Sequence, residues 1–75
     1  MDRIELDSTI LAWVRYQPDQ HLLQVGLRTG RHYNYFNVPA STYRQLLAAE
    51  SKGRYYNLHI RNDFPFQRIE SRSAG

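Results

Sequence analysis

The 75-residue chain contains no cysteine. That excludes disulfide staples and every zinc site built on thiolates. Only one of its ten basic residues, Lys52, is lysine, so its positive charge resides almost wholly in flat, forked guanidinium groups. No apolar run approaches the roughly 20 residues that a membrane-spanning helix needs. The formal net charge is +3, a surplus too small by itself to demand a polyanionic partner. The opening stretch MDRIELDSTI has acids where a signal peptide has a basic segment and then an apolar one. A cytoplasmic location without membrane attachment is expected.

Chemistry-bearing groups are also sparse. His21, His32 and His59 have no spacing that sets two of them on one helix face. Ser8, Ser41 and Ser51 lack an evident histidine–carboxylate partner, and the seven acids are scattered. No glycine-rich phosphate loop is present. No catalytic residue, metal site or cofactor is therefore expected.

What the sequence does hold is 41% hydrophobic and 13% aromatic residues. A chain of this length buries on folding roughly 60% of the surface it exposes unfolded. That suffices for one core, and residues 1–75 read as one domain. Charge is unevenly placed: residues 1–30 carry a net −1 and residues 31–75 a net +4.

TILAWVRY (9–16) is β-branched and aromatic, which predicts a strand. Gln17-Pro18-Asp19-Gln20 places proline at the second position of a type I turn. HLLQVGLR (21–28) and RHYNYF (31–36) alternate as two more strands. Arg28-Thr29-Gly30 between them predicts a three-residue loop with glycine at the left-handed position. Pro39 then stops the sheet, and ASTYRQLLAAE (40–50) spaces Tyr43, Leu46 and Leu47 along one helix face. Ser51 can cap a second helix reaching about Arg61, before Pro65. The expected fold is α+β: a three-stranded antiparallel β-meander, then two helices on one of its faces, with residues 70–75 as a flexible tail.

Pairing Tyr16 with His21 and Leu27 with Arg31 assigns the faces. Ile10, Ala12, Val14, Leu23, Val25, Leu27, Tyr33 and Tyr35 face the helices, packed on Tyr43, Leu46, Leu47, Tyr56 and Ile60. The other face receives Leu11, Trp13, Arg15, Gln24, Gly26, His32, Asn34 and Phe36. The tail must bury Phe64, Phe66 and Ile69, and it is expected to cover Trp13 and Phe36 in doing so.

GLRTGRHYNYFNVP, a tyrosine-bearing helix running into AAESKGRYYNLHIR, and then FPFQRI together resemble the KTSC domain. That family is named after the C-terminal extension of some lysyl-tRNA synthetases and also occurs as free-standing small bacterial and phage proteins. The resemblance spans Ser8 to Ile69. It implies RNA binding through the synthetase context and brings no catalytic residues. Phe64 and Phe66 stand where the family's tail motif usually has a tyrosine.

Three surfaces are candidates for binding. Ser51-Lys52-Gly53 opens the second helix, where unpaired amides, a close-approach glycine and a cation suit phosphate; the same residues also make a plain tight connection between helices. Lys52, Arg54, Tyr55, His59 and Arg61, with Arg44 on the first helix, form a cationic face interleaved with aromatic rings, as single-stranded nucleic-acid binders use. A solvated helix face has the same composition. Trp13, Arg15, His32, Asn34 and Phe36 form the alternative, a protein-interaction face or the seam of a weak homodimer. Tyr33 and Tyr35 look like a stacking platform, but the register turns them into the core. The expected function is a non-enzymatic module for RNA or another nucleic acid, with a protein partner as the alternative.

Overall fold

The computed structural model describes residues 3–69. Five antiparallel strands stand side by side in sequence order. They are β1 (Ile4–Glu5), β2 (Leu11–Gln17), β3 (Leu22–Leu27), β4 (His32–Tyr35) and β5 (Phe66–Ile69), with α1 (Ala40–Ala48) and α2 (Lys52–His59) between the last two strands. The α+β class stands, but the sheet has five strands rather than three. Both additions come from the chain ends, where β1 pairs with β2 and β5 closes the far edge on β4. The expected tail, residues 70–75, lies outside the described residues.

The second hairpin has the expected register, with Leu23 opposite Tyr35 and Val25 opposite Tyr33. Gly30 takes φ 98°, and its amide donates to the Leu27 carbonyl at 2.9 Å. The first hairpin corrects the expected pairing by two residues. Tyr16 faces Leu23 rather than His21, because His21 stays in the turn at φ 51°. A shift of two preserves the faces. A bulge between Leu11 and Trp13 does not: it turns Leu11, expected outside, into the core.

The helices end earlier than expected, at Ala48 and His59. Pro39 is the N-cap of α1, with no side-chain cap bond. Ser51 caps α2, its hydroxyl accepting from the Arg54 amide at 3.3 Å. Tyr43, Leu46, Tyr56 and Ile60 from the helical half bury against Leu11, Val14, Tyr16, Leu23, Val25 and Tyr35 from the sheet. Leu47 is only partly buried against this core. Two arginines serve the fold. Arg28 donates to the Ser8 carbonyl at 2.9 Å and the Leu6 carbonyl at 2.7 Å, tying the N-terminal segment down, and Arg3 pairs with Glu5 at 3.0 Å. Among the described residues no helix is long and apolar enough to cross a membrane.

Candidate nucleic-acid interface

The start of α2 is packed into the domain. A Cβ on Gly53 would lie 2.9 Å from Ile10 Cδ1 and 3.1 Å from Ile10 Cβ, so the glycine here serves helix-to-strand contact. Lys52 Nζ donates back to the Ala49 carbonyl at 3.1 Å. Asp7 and Glu50 line the same small depression as Ser51, Lys52 and Gly53, so an anion approaching these amides meets two carboxylates.

The exposed side of α2 carries Arg54, Leu58 and His59, with Leu58 61% exposed. Tyr55 stacks near His59, with ring centroids 4.6 Å apart, and its hydroxyl donates to Gln45 Oε1 at 2.9 Å. Arg44 is exposed on α1, close enough to Tyr16 to act on its phenol electrostatically. Arg61 lies past the end of α2 and reaches Asn57 Oδ1 at 3.4 Å. Arg54 and Arg61 line different clefts. The cationic stripe expected from helical spacing is thus divided, because α2 stops two residues before Arg61.

On the sheet face away from the helices, Trp13 lies directly on Gly26, where any Cβ would collide with the indole. His32 meets the indole edge-on at 5.3 Å, and the Arg3 guanidinium sits 4.9 Å over it. Arg15 is exposed. Asn34 Oδ1 is buried without a hydrogen-bond partner among the described residues. The expected cover by the tail is corrected: residues 66–69 extend the sheet sideways instead of folding across it, and Phe64 packs on the core. Phe36 stays 37% exposed.

One further feature was not read from the sequence. A cleft of about 370 Å³ opens between α2 and the edge formed by β4 and β5. Tyr33, Tyr35, Tyr56 and Phe66 wall it, and Arg31 and Arg61 line it together with Asn57 and Asn62. Among the described residues no carboxylate lines it. The signal for it lay in Tyr33 and Tyr35. Both face the helices as expected, and Tyr35 is buried, but α2 leaves Tyr33 only partly covered.

Tyr35 and Tyr56, which both line this cleft, have their hydroxyls 2.6 Å apart. Burial pushes the Tyr35 phenol far above its ordinary range, and the bond to Tyr56 adds to the effect. Burial also raises Tyr56, Tyr43 and Tyr16. A phenol whose folded pKa is raised gives stability that is fully present below its ordinary value of about 10 and is lost as pH climbs beyond it. The urea midpoint is therefore expected to hold from neutrality to about pH 10 and then fall steeply, and the Tyr35→Phe/Tyr56→Phe double variant to fall less. A midpoint unchanged to about pH 11 would contradict the burial of these phenols.

A family model described as the KTSC domain matches residues 7–64. An uncharacterized protein from Stutzerimonas stutzeri is 39% identical over 57 residues, covering 76% of this chain and 80% of that protein. A lysine–tRNA ligase from a Nostoc species is 33% identical over 63 residues, which are 84% of this chain and 11% of the ligase. The crystal structure of a KTSC domain protein from Yersinia pestis superposes with a TM-score of 0.88 at 28% identity, covering 92% of this chain and 97% of that one.

Proposed function

This chain belongs to the KTSC domain family, and from that premise we propose that it is a small non-enzymatic module that binds single-stranded RNA. The observation that carries the reading is the cleft between α2 and the β4–β5 edge. It offers two guanidinium groups, aromatic walls and side-chain amides, and among the described residues no carboxylate lines it to repel a phosphate. Guanidinium groups hold phosphate oxygens in a fork, while aromatic faces accept any base. Arg61, expected from the sequence to contact phosphate, lines this cleft, and Arg31 joins it. Arg54, Tyr55 and His59 form a second, separate cationic and aromatic surface on the outer side of α2, with Lys52 and Arg44 beyond them. The similar region within a lysine–tRNA ligase, an enzyme named for its action on tRNA, adds support.

The test is affinity for a short single-stranded RNA as salt is raised. Each phosphate neutralised contributes about −0.7 to the slope of log K against log salt. Two guanidinium contacts thus give a slope of about −1.4. Reversing Arg31 and Arg61 together to glutamate is expected to remove binding. Affinity that ignores salt, or survives the double reversal, would sink the proposal.

A second reading, a protein-interaction face on the opposite side of the sheet, is favoured by one observation. Trp13 is held rigidly on Gly26 beneath Arg3, and the C-terminal strand does not cover it. Tryptophan and arginine are over-represented where protein contacts carry most energy. The two readings differ in location: a contact centred on Trp13 would survive the Arg31 and Arg61 reversals.

A further inference from the structure

We infer that the cleft between α2 and the β4–β5 edge is a pocket for one nucleoside monophosphate, with the phosphate against Arg31, Arg61 and the Tyr35–Tyr56 hydroxyl pair and the base against Phe66. The inference rests on the reading above, in which this cleft is the seat of binding, and it names what occupies it.

Size sets the first limit. Small-molecule sites span roughly 300–1,000 Å³, and a cleft of about 370 Å³ is at the small end. That is room for about one nucleotide.

Hydrogen-bond inventory sets the second. Two phenols sharing one bond use one proton between them, and the accepting phenol keeps its own O–H to donate elsewhere. Tyr35 and Tyr56 are 2% and 3% exposed, and among the described residues neither oxygen has another hydrogen-bond partner. A buried donor without an acceptor is costly, and a ligand oxygen that reaches the pair from the cleft satisfies it. With both phenols held protonated by burial, the pair is a donor at physiological pH.

Charge and shape set the third. Arg31 and Arg61 are exposed at the cleft, and among the described residues Arg61 is held only by one long 3.4 Å bond to Asn57 Oδ1, so both guanidinium groups can turn to a phosphate whose oxygen reaches the phenol. Phe66 has its ring centroid 5.7 Å from that of Tyr33 and 5.6 Å from that of Tyr35, yet it is 54% exposed, so part of its ring is available to a base. Asn57 and Asn62 line the same cleft and offer amide groups to a base edge.

The same chemistry can arrive as a free nucleotide or as one residue of an RNA strand, and the experiment separates them. The full chain is titrated with adenosine 5′-monophosphate, adenosine, inorganic phosphate and a short single-stranded RNA, with backbone amide shifts recorded. The monophosphate is expected to move the Tyr33, Asn57, Arg61 and Phe66 amides. Adenosine and phosphate alone should bind at least about tenfold more weakly, because each makes only part of the contacts. Arg61→Gln should weaken the monophosphate about tenfold while preserving the dispersed spectrum of a folded domain.

If RNA moves the same amides and competes with the monophosphate, the pocket takes a nucleotide of a strand. If the monophosphate binds there and RNA binds nowhere, the pocket stands, its occupant is a free nucleotide, and the RNA reading falls. RNA binding along the outer side of α2 without competition overturns the pocket and spares the RNA reading. Silence of the cleft amides toward every ligand at millimolar concentration overturns both.

Discussion

A Tyr16→Ala protein is expected to be strongly destabilised, having lost about 4 kcal/mol. Tyr16 sits at the end of the sheet where the first turn, the β4–α1 connection and α1 converge. It is 3% exposed, its ring stacks on Tyr43 with centroids 4.7 Å apart, and its hydroxyl donates to the Val38 carbonyl at 2.6 Å. Truncation to alanine removes the ring from the core and leaves that carbonyl unpaired. A domain of this length holds roughly 4–11 kcal/mol in total, so one such loss consumes much of it. Tyr16→Phe keeps the ring and loses only the bond, at about 1–2 kcal/mol. Urea denaturation followed by far-ultraviolet circular dichroism measures both. An alanine variant within about 1 kcal/mol of the parent would show that Tyr16 does not hold the β4–α1 connection in place.

The second large effect concerns Tyr35 and Tyr56. Replacing either by phenylalanine leaves the other hydroxyl buried without its partner and is expected to cost about 1–2 kcal/mol. Replacing both removes the two polar groups together, so the double variant should lose clearly less than the sum of the singles, by about 1 kcal/mol. The double-mutant cycle reads this directly. Strict additivity would mean that the 2.6 Å contact contributes no coupling.

These expectations depend on contacts that the sequence revealed unevenly. Alternation over Leu23 to Leu27 and Tyr33 to Tyr35 was strong enough to set the second hairpin and its inward face, and Gly30 fixed the loop. The first hairpin was harder, because nothing in Gln17–His21 marks His21 as a left-handed turn residue. Leu11 was placed outside because strict alternation ties it to Trp13, and a bulge resets alternation without a compositional mark. β1 has two residues, too few for any period. Phe66-Gln67-Arg68-Ile69 lacks a period of two, so its apolar residues read as a cover for the sheet rather than as its edge.

The candidate site was less legible still. Spacing along an unbroken helix joined Arg54 to Arg61, whereas α2 ends at His59 and sends Arg61 to a different cleft. That cleft joins residues from β4, α2 and β5, and its existence depends on how far α2 covers the sheet. No local pattern records that distance. The glycine in Ser51-Lys52-Gly53 could serve a phosphate or a packing contact, and only the position of Ile10 against it distinguishes the two.

The strand order has a kinetic side. β2, β3 and β4 pair with their immediate sequence neighbours across short turns, while β5 returns to β4 only after an intervening stretch of thirty residues, 36–65. Closing such a loop costs about 3 kcal/mol of chain entropy beyond a constant term, and strand edges with little buried surface open well below the free energy of global unfolding. Phe66 stands on that last strand and forms a wall of the cleft. The cleft is therefore finished by the least local pairing in the sheet, and it is whole only when the long connection that carries both helices has closed.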